Sequence, residues 1–173
     1  GLANALIDCA PVIALGGSSP VSQYGIGAFQ DIDQVAIMRP VTKWAERCYE
    51  TRRIPELIDK AFRMAWSGKP GPVYIDLPTD VLLNSIDEST VVWPATSGPV
   101  KTRPLADENQ IAAAIEVLSQ AKKPVILSGS GVIWSDAADE FKSWVESTGI
   151  PVYTTPQGRG VVPEDHALCY PNA

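Results

Sequence analysis

The sequence has few of the residues from which catalytic triads and metal sites are built. It contains a single histidine, His166, and three cysteines, Cys9, Cys48 and Cys169, that are far apart and lack CxxC spacing. No Ser/His/Asp or Cys/His catalytic set can therefore be assembled within the chain, and neither a metal site nor a disulfide framework is expected. Isolated thiols are typical of a reducing compartment, so we predict a cytoplasmic location.

Excess positive charge and long apolar runs are also missing. The chain has 14 Lys and Arg against 20 Asp and Glu, which gives a net charge of -6. An acidic surface repels phosphate backbones and anionic lipids, so neither nucleic acid nor a membrane is an expected partner. The longest apolar stretch, residues 10–15, is far shorter than the roughly 18 residues of a membrane span. With 173 residues and 45% hydrophobic content, the chain is expected to bury a core and to act on a small molecule.

What the sequence does contain is a succession of strand and helix patterns. Apolar residues recur with helical spacing over 54–66, and the run 73–77 (VYIDL) between two prolines is typical of a buried strand. The run 11–15 (PVIAL) predicts a strand buried on both faces, which the turn residues Gly16 and Gly17 then close. Strand, helix and strand in succession predict an α/β fold with a parallel sheet.

A second α/β series follows residues 84–106, where the periodicity fades and proline and glycine accumulate. Asp107, with a capping-box partner three residues later, starts a predicted helix, and residues 124–127 and 151–154 read as strands. The sequence therefore predicts two α/β units joined by the linker 84–106. Because the chain opens on Gly1 within a helical pattern, we expect it to be a fragment of a longer protein.

Two polar segments are candidates for a ligand site. Gly129-Ser130-Gly131 follows a predicted strand, where backbone N–H groups can receive a phosphate, although a plain tight βα turn is the alternative because Trp134 stands where a third glycine would fall. Residues 27–34 (GAFQDIDQ) place amides and carboxylates beside an aromatic ring. They form either a ligand loop or a polar helix start with Asp31 or Asp33 as N-cap.

Two further charged residues need an environment that the pattern does not specify. Lys43 is consistent with a solvated lysine on an ordinary edge strand. Asp76 interrupts an apolar strand and must be paired or hydrogen-bonded, which favours a structural role in capping a neighbouring loop.

Taken in order, a set of segments resembles the thiamine-diphosphate enzymes of the acetohydroxyacid synthase superfamily. They are residues 1–19 (GLANALIDCAPVIALGGSS), 27–45 (GAFQDIDQVAIMRPVTKWA), 68–81 (GKPGPVYIDLPTDV), 122–132 (KKPVILSGSGV) and 155–166 (TPQGRGVVPEDH). Such enzymes have a pyrimidine-binding domain, a central Rossmann-like domain and a diphosphate-binding domain in succession. The resemblance implies that residues 1–83 are the second half of the first domain, 84–106 a linker, and 107–173 the first half of the central domain.

Within the superfamily the motifs resemble several branches. GGSS with GAFQ and the 155–166 stretch are similar to 2-hydroxyacyl-CoA lyases and oxalyl-CoA decarboxylases, whereas 82–94 and TKWA resemble benzaldehyde lyase. Acetolactate synthases share the AFQ and PGPV motifs. Relatives that bind ADP or coenzyme A often carry Lys or Arg where this chain has Pro20-Val21 and Ser130, which weakens a coenzyme A assignment.

The resemblance also implies site residues. Gln30 matches an amide that hydrogen-bonds near the thiazolium and substrate, Phe29 a wall of that pocket, and Lys43 a lysine at the substrate channel. Gly129, Ser130, Gly131 and Val132 match the central-domain turn that holds FAD or ADP in some members.

The implied function is that of a thiamine-diphosphate-dependent C–C lyase or carboligase, of the 2-hydroxyacyl-CoA lyase type or, alternatively, an acetolactate synthase large subunit. The activating glutamate and the Mg2+ ligands are expected outside this chain, so the segment alone is expected to be inactive. The full-length protein is expected to be a homodimer or homotetramer. The non-enzymatic alternative is a nucleotide-binding module.

Overall fold

The computed structural model describes residues 1–95 and 105–171 and divides the chain into two compact units, Gly1–Thr102 and Arg103–Ala173. Each unit contains a parallel three-stranded sheet, so the predicted α/β fold with parallel sheets is confirmed. Of the predicted linker 84–106, the residues 96–104 lie outside the described part of the chain.

The first unit is built around a central strand that is buried on both sides. Its elements are α1 (Leu2–Ile7), β1 (Ile13–Ser18), α2 (Gln34–Met38), β2 (Trp44–Arg47), α3 (Ile54–Trp66), β3 (Val73–Pro78) and α4 (Thr79–Leu83). The strand order is β1-β3-β2, and every residue of β3 is buried. Helix α3 supplies Leu57, Ala61 and Ala65 to the core, which is the stripe that its helical spacing predicts.

Strand β1 differs from its prediction in both extent and burial. It continues through Gly16 and Gly17 to Ser18, because each of these residues is registered with a residue of β3 up to Pro78. The two glycines are therefore strand residues and do not form the predicted turn. Leu15 is 56% exposed, so the prediction of a strand buried on both faces was wrong. In the described sheet β1 is an outer strand, and one of its faces is left open.

The second unit also combines helices with a three-stranded parallel sheet, but its strands are shorter. Its elements are α5 (Glu108–Gln120), β4 (Ile126–Ser128), α6 (Gly131–Trp134), α7 (Ala138–Thr148), β5 (Val152–Thr154) and β6 (Cys169–Pro171), with strand order β4-β5-β6. The Asp107 carboxylate accepts the N–H groups of Asn109 and Gln110, which confirms the predicted N-cap. Gly149 ends α7 in the left-handed conformation, with φ of 67°.

One face of the second sheet is only partly covered. Leu127, Tyr153 and Tyr170 are registered side by side across the three strands and are 66%, 36% and 48% exposed, and the two tyrosine rings stack at 5.3 Å. The opposite face packs Val152 against Val145 of α7. Within the described ranges no helix is long and apolar enough to cross a bilayer, and the longest, α3 and α5, have 13 residues each.

Candidate functional site

The loop before α2 is fastened to the first sheet by one glutamine. The Gln34 Nε2 donates to the Gly17 carbonyl of β1 at 2.7 Å, and the Tyr74 hydroxyl of β3 donates to the Gln34 Oε1 at 2.7 Å. Asp33 is the N-cap of α2 and accepts the N–H of Ala36 at 3.0 Å. Because Gly17 is near the carboxyl end of β1, the loop lies at the edge of a parallel sheet where ligands usually bind.

The hydrogen bond of Tyr74 depends on the absence of a side chain at Gly16. The Tyr74 hydroxyl occupies the space that a Cβ at Gly16 would need, and the ring atoms Cε2 and Cζ lie 2.8 Å from that position. Burial of the phenol raises the pKa of Tyr74, so the group remains a neutral donor to Gln34.

We expect Gly16→Ala to destabilise the protein by about 1 to 3 kcal/mol, the usual range for an overpacked core, because the Tyr74 ring must move away from β1. Urea denaturation followed by circular dichroism measures this change. Gly17→Ala is the matched control, since nothing lies within 4 Å of a Cβ at Gly17. Equal stability of the two variants would show that Tyr74 has room to shift.

The tip of the loop presents Phe29 and Gln30 to solvent. Phe29 is 86% exposed, and Gln30 is exposed with a φ of 61°. Within the described part of the chain the side-chain amide of Gln30 has no hydrogen-bond partner. An exposed phenylalanine beside a free amide offers an apolar wall and a hydrogen-bonding group to a ligand.

The same loop is closed by a carboxylate. Asp31 accepts the backbone N–H groups of Gly25 and Gly27, each at 2.9 Å. The hydrogen bond from Gly25 and, to a smaller extent, the one from Gly27 lower the pKa of Asp31. Of the two N-cap alternatives that the sequence left open, Asp33 is the helix cap and Asp31 is the loop acceptor.

The predicted edge strand is present, since β2 is an outer strand of the described sheet, but it begins at Trp44, so Lys43 precedes it and is partly buried instead of solvated. Its Nζ donates to the carbonyl oxygens of Met64 at 2.7 Å and Ser67 at 2.6 Å, at the carboxyl end of α3. Partial burial lowers the pKa of Lys43. This contact gives Lys43 a structural role in the described chain, and its role at a substrate channel stays a prediction.

A buried ion pair links the two strands next to the loop. Arg47, at the end of β2, donates through Nε to Asp76 of β3, and their side chains are 6% and 0% exposed. The ring of Tyr24 covers the guanidinium at 4.2 Å. Burial opposes the charge of Arg47, but the hydrogen bond and charge of Asp76 outweigh it and raise the pKa of Arg47. Asp76 is thus paired as predicted, although with a neighbouring strand and not as a loop cap. The need for a partner was visible in the sequence, but nothing there identified Arg47.

The glycine turn of the second unit lies between β4 and α6. Ser130 is the N-cap of α6, a helix of 4 residues, and makes no side-chain capping bond. Neither Gly129 nor Gly131 has a positive φ, and a Cβ at either position would meet nothing closer than 3.7 Å. Glycine is therefore not required at these two positions by the surrounding described residues.

Two buried hydroxyl groups lie at the carboxyl ends of the strands beside this turn. Ser128 of β4 is registered with Thr154 of β5, and the hydroxyl oxygens of both are buried without a hydrogen-bond partner in the described chain. Gly158 packs against the Ser128 carbonyl so closely that a Cβ there would collide with it. Across residues 1–95 and 105–171, no group of three or more His, Cys, Asp or Glu side chains is placed to hold a metal ion.

Comparison with known proteins adds two findings. Residues 111–173 match the family model described as thiamine pyrophosphate enzyme, central domain. Over 98% of its length the chain is 37% identical to 2-hydroxyacyl-CoA lyase 1 of Mus musculus, of which it covers 29%.

Two other relatives carry different names. The chain is 41% identical, over 97% of its length, to a probable acetolactate synthase large subunit of Methanocaldococcus jannaschii, and covers 29% of it. It is 38% identical, over 96% of its length, to the glyoxylate carboligase of Escherichia coli O157:H7, and covers 28% of it. The chain thus spans less than a third of each of these relatives.

Proposed function

We propose that this chain, which belongs to the superfamily of thiamine-diphosphate-dependent enzymes, is the part of a C–C lyase or carboligase that contributes the Phe29–Gln30 loop to the active site. The reaction makes or breaks the bond between a carbonyl carbon and an adjacent hydroxylated or carboxylated carbon. The proposal is supported by relatives that are named as lyases, synthases and carboligases. Substrates of the 2-hydroxyacyl-CoA type and of the 2-oxo acid type both remain in this proposal, because relatives of both kinds match the chain at similar identity.

The domain assignment is part of the proposal. We assign residues 1–83 to the pyrimidine-binding domain, 84–106 to a linker and 107–173 to the central domain. The match of 111–173 to the central-domain family supports the last of these. The activating carboxylate, the Mg2+ ligands and the partner subunit of a homodimer or homotetramer then lie outside this chain, in a cytoplasmic protein.

The observation that carries the proposal is the exposure of Phe29 and Gln30 at the sheet edge. Thiamine diphosphate supplies the electron sink that stabilises the carbanion in such enzymes. The exposed ring of Phe29, 86% accessible, fits an apolar contact with the cofactor or substrate, and the Gln30 amide can donate a hydrogen bond to a carbonyl oxygen. Lys43 is proposed to line the substrate channel, and the carbonyl oxygens of Met64 and Ser67 at the carboxyl end of α3 hold its Nζ.

The central-domain turn is proposed to receive the diphosphate of FAD or ADP. Gly129 and Gly131 are not required by local packing, and the unpartnered hydroxyls of Ser128 and Thr154 lie beside them. Ser130 is the N-cap of α6, and Val132 lies within that helix, partly buried against the core of the second unit. The competing proposal is that the chain is a nucleotide-binding module, which binds a nucleotide at this turn and has no thiamine-dependent activity.

We test the function with the full-length protein that contains this chain. With thiamine diphosphate and Mg2+ we expect either cleavage of the C–C bond next to the carbonyl of a 2-hydroxyacyl-CoA, or decarboxylation and carboligation of 2-oxo acids. We expect no turnover by the 173-residue chain alone. The absorbance spectrum of the purified protein reports bound FAD, and calorimetry with ADP reports the alternative nucleotide. ADP or FAD binding without any thiamine-dependent turnover would support the binding module and overturn the enzyme.

A further inference from the structure

The Phe29–Gln30 tip has little to hold it apart from one carboxylate. Phe29 and Ile26 are 86% and 74% exposed, so packing does not fix their positions. The turn contains a bond from the Asp31 N–H to the Ala28 carbonyl at 3.0 Å and one from the Ile32 N–H to the Gln30 carbonyl at 3.1 Å. These two bonds span only the second half of the loop.

The first half of the loop is closed by the side chain of Asp31. Its Oδ2 accepts the N–H groups of Gly25 and Gly27 at 2.9 Å each, and its Oδ1 lies 3.1 Å from the Gly25 nitrogen. Both glycines have positive φ, 82° and 77°, as does Gln30 at 61°. A carboxylate that collects two N–H groups therefore stabilises a backbone path that few residues adopt unaided.

We propose that Asp31 is a positioning residue for the active site: its carboxylate holds the loop 25–31 so that the Gln30 amide and the Phe29 ring face the substrate. This inference rests on the proposed function for its catalytic consequence, and on the hydrogen bonds of Asp31 for its structural content. Asp31 itself does not touch the reacting atoms.

Asparagine at position 31 removes the negative charge and one acceptor oxygen with little change in the size of the side chain. Its single amide oxygen is uncharged, and its NH2 group opposes any N–H group that the second carboxylate oxygen formerly accepted. Asp33→Asn is the matched control, because it makes the same charge change two positions away. Asparagine is as good an N-cap as aspartate, so α2 keeps its start.

Hydrogen–deuterium exchange of the full-length protein, followed by mass spectrometry of the peptide that spans 25–31, tests the structural half. In Asp31→Asn we expect exchange at Gly25 and Gly27 to be faster by about tenfold or more, as for the loss of a charge-assisted hydrogen bond. In Asp33→Asn we expect exchange in this peptide to match the wild type. Asp31→Glu retains the charge and both oxygens, and we expect it to recover part of the protection.

Steady-state kinetics test the catalytic half. Asp31→Asn is expected to lower kcat by about tenfold, with an unchanged melting temperature and an unchanged Kd for thiamine diphosphate, and Asp31→Glu is expected to recover part of that loss. Unchanged exchange in Asp31→Asn, or faster exchange with wild-type kcat and KM, would overturn the inference. A wild-type protein without thiamine-dependent activity overturns the proposed function instead, and the exchange experiment still decides whether Asp31 holds the loop.

Discussion

Replacement of Gln30 by glycine is expected to slow turnover of the full-length protein by a factor of about 10² to 10³, which corresponds to about 2.7 to 4 kcal/mol of transition-state stabilisation. The amide can donate to an oxygen that gains charge during the reaction, and it does so without exchanging a proton. Glycine is the informative substitution because Gln30 has a φ of 61°. Alanine at this position would add backbone strain to the loss of the amide, whereas glycine removes the amide alone.

The control for this prediction is Gln30→Asn, which keeps an amide on a shorter arm and tolerates the left-handed conformation. We expect an intermediate rate for this variant and melting temperatures close to wild type for both, since the Gln30 side chain is exposed and makes no hydrogen bond within the described residues. Turnover is measured at saturating thiamine diphosphate. A near-normal rate in Gln30→Gly would show that the AFQ segment, residues 28–30, is a structural turn and does not take part in catalysis.

Replacement of Arg47 by methionine is expected to cost about 3 to 5 kcal/mol of folding stability, the usual cost of removing one partner of a buried ion pair. Methionine keeps much of the arginine stem but leaves the Asp76 carboxylate buried and unpaired. One oxygen of Asp76 already lacks a partner in the described chain, so no second donor among these residues takes over. Urea denaturation at neutral pH measures the change in the free energy of unfolding.

The matched control is Arg52→Met, the same chemical change at an exposed pair. Arg52 and Glu50 are 61% and 49% exposed and lie 2.6 Å apart, and such surface pairs contribute only about 0 to 1 kcal/mol. A small effect at Arg47, similar to that at Arg52, would mean that water reaches Asp76 once the arginine is gone. Turnover per folded molecule is expected to fall much less in Arg47→Met than in Gln30→Gly.

The elements that the sequence predicted well are those whose signals are local. The stripe of α3, the Asp107 N-cap and the glycine that ends α7 each depend on residues within a few positions. The extent and burial of β1 were predicted incorrectly because they depend on β3, which lies far along the chain and extends the pairing through Gly16 and Gly17. Strand β6 was missed because it has only 3 residues, too few to show an alternating pattern.

Predictions about the candidate site also succeeded or failed according to whether the residues involved are close in sequence. The resemblance to the thiamine-diphosphate superfamily is confirmed by the central-domain match and by the named relatives. Residue patterns alone did not distinguish the 27–34 loop from a helix start, because both Asp31 and Asp33 suit an N-cap. The roles of Lys43 and Arg47 depend on partners that are distant in sequence, the carbonyls of α3 and the carboxylate of Asp76. Such long-range pairs carry no signal in one sequence without an alignment.

The strand order β1-β3-β2 has a consequence for how the first unit is made. In the described sheet both outer strands are hydrogen-bonded to β3, and β3 is the last of the three along the chain. A ribosome therefore delivers β1 and β2 before β3, the strand that both of them bond to, and α3 is synthesised in between. The pairings of β1 and β2 with β3 form only after Val73 to Pro78 have left the exit tunnel.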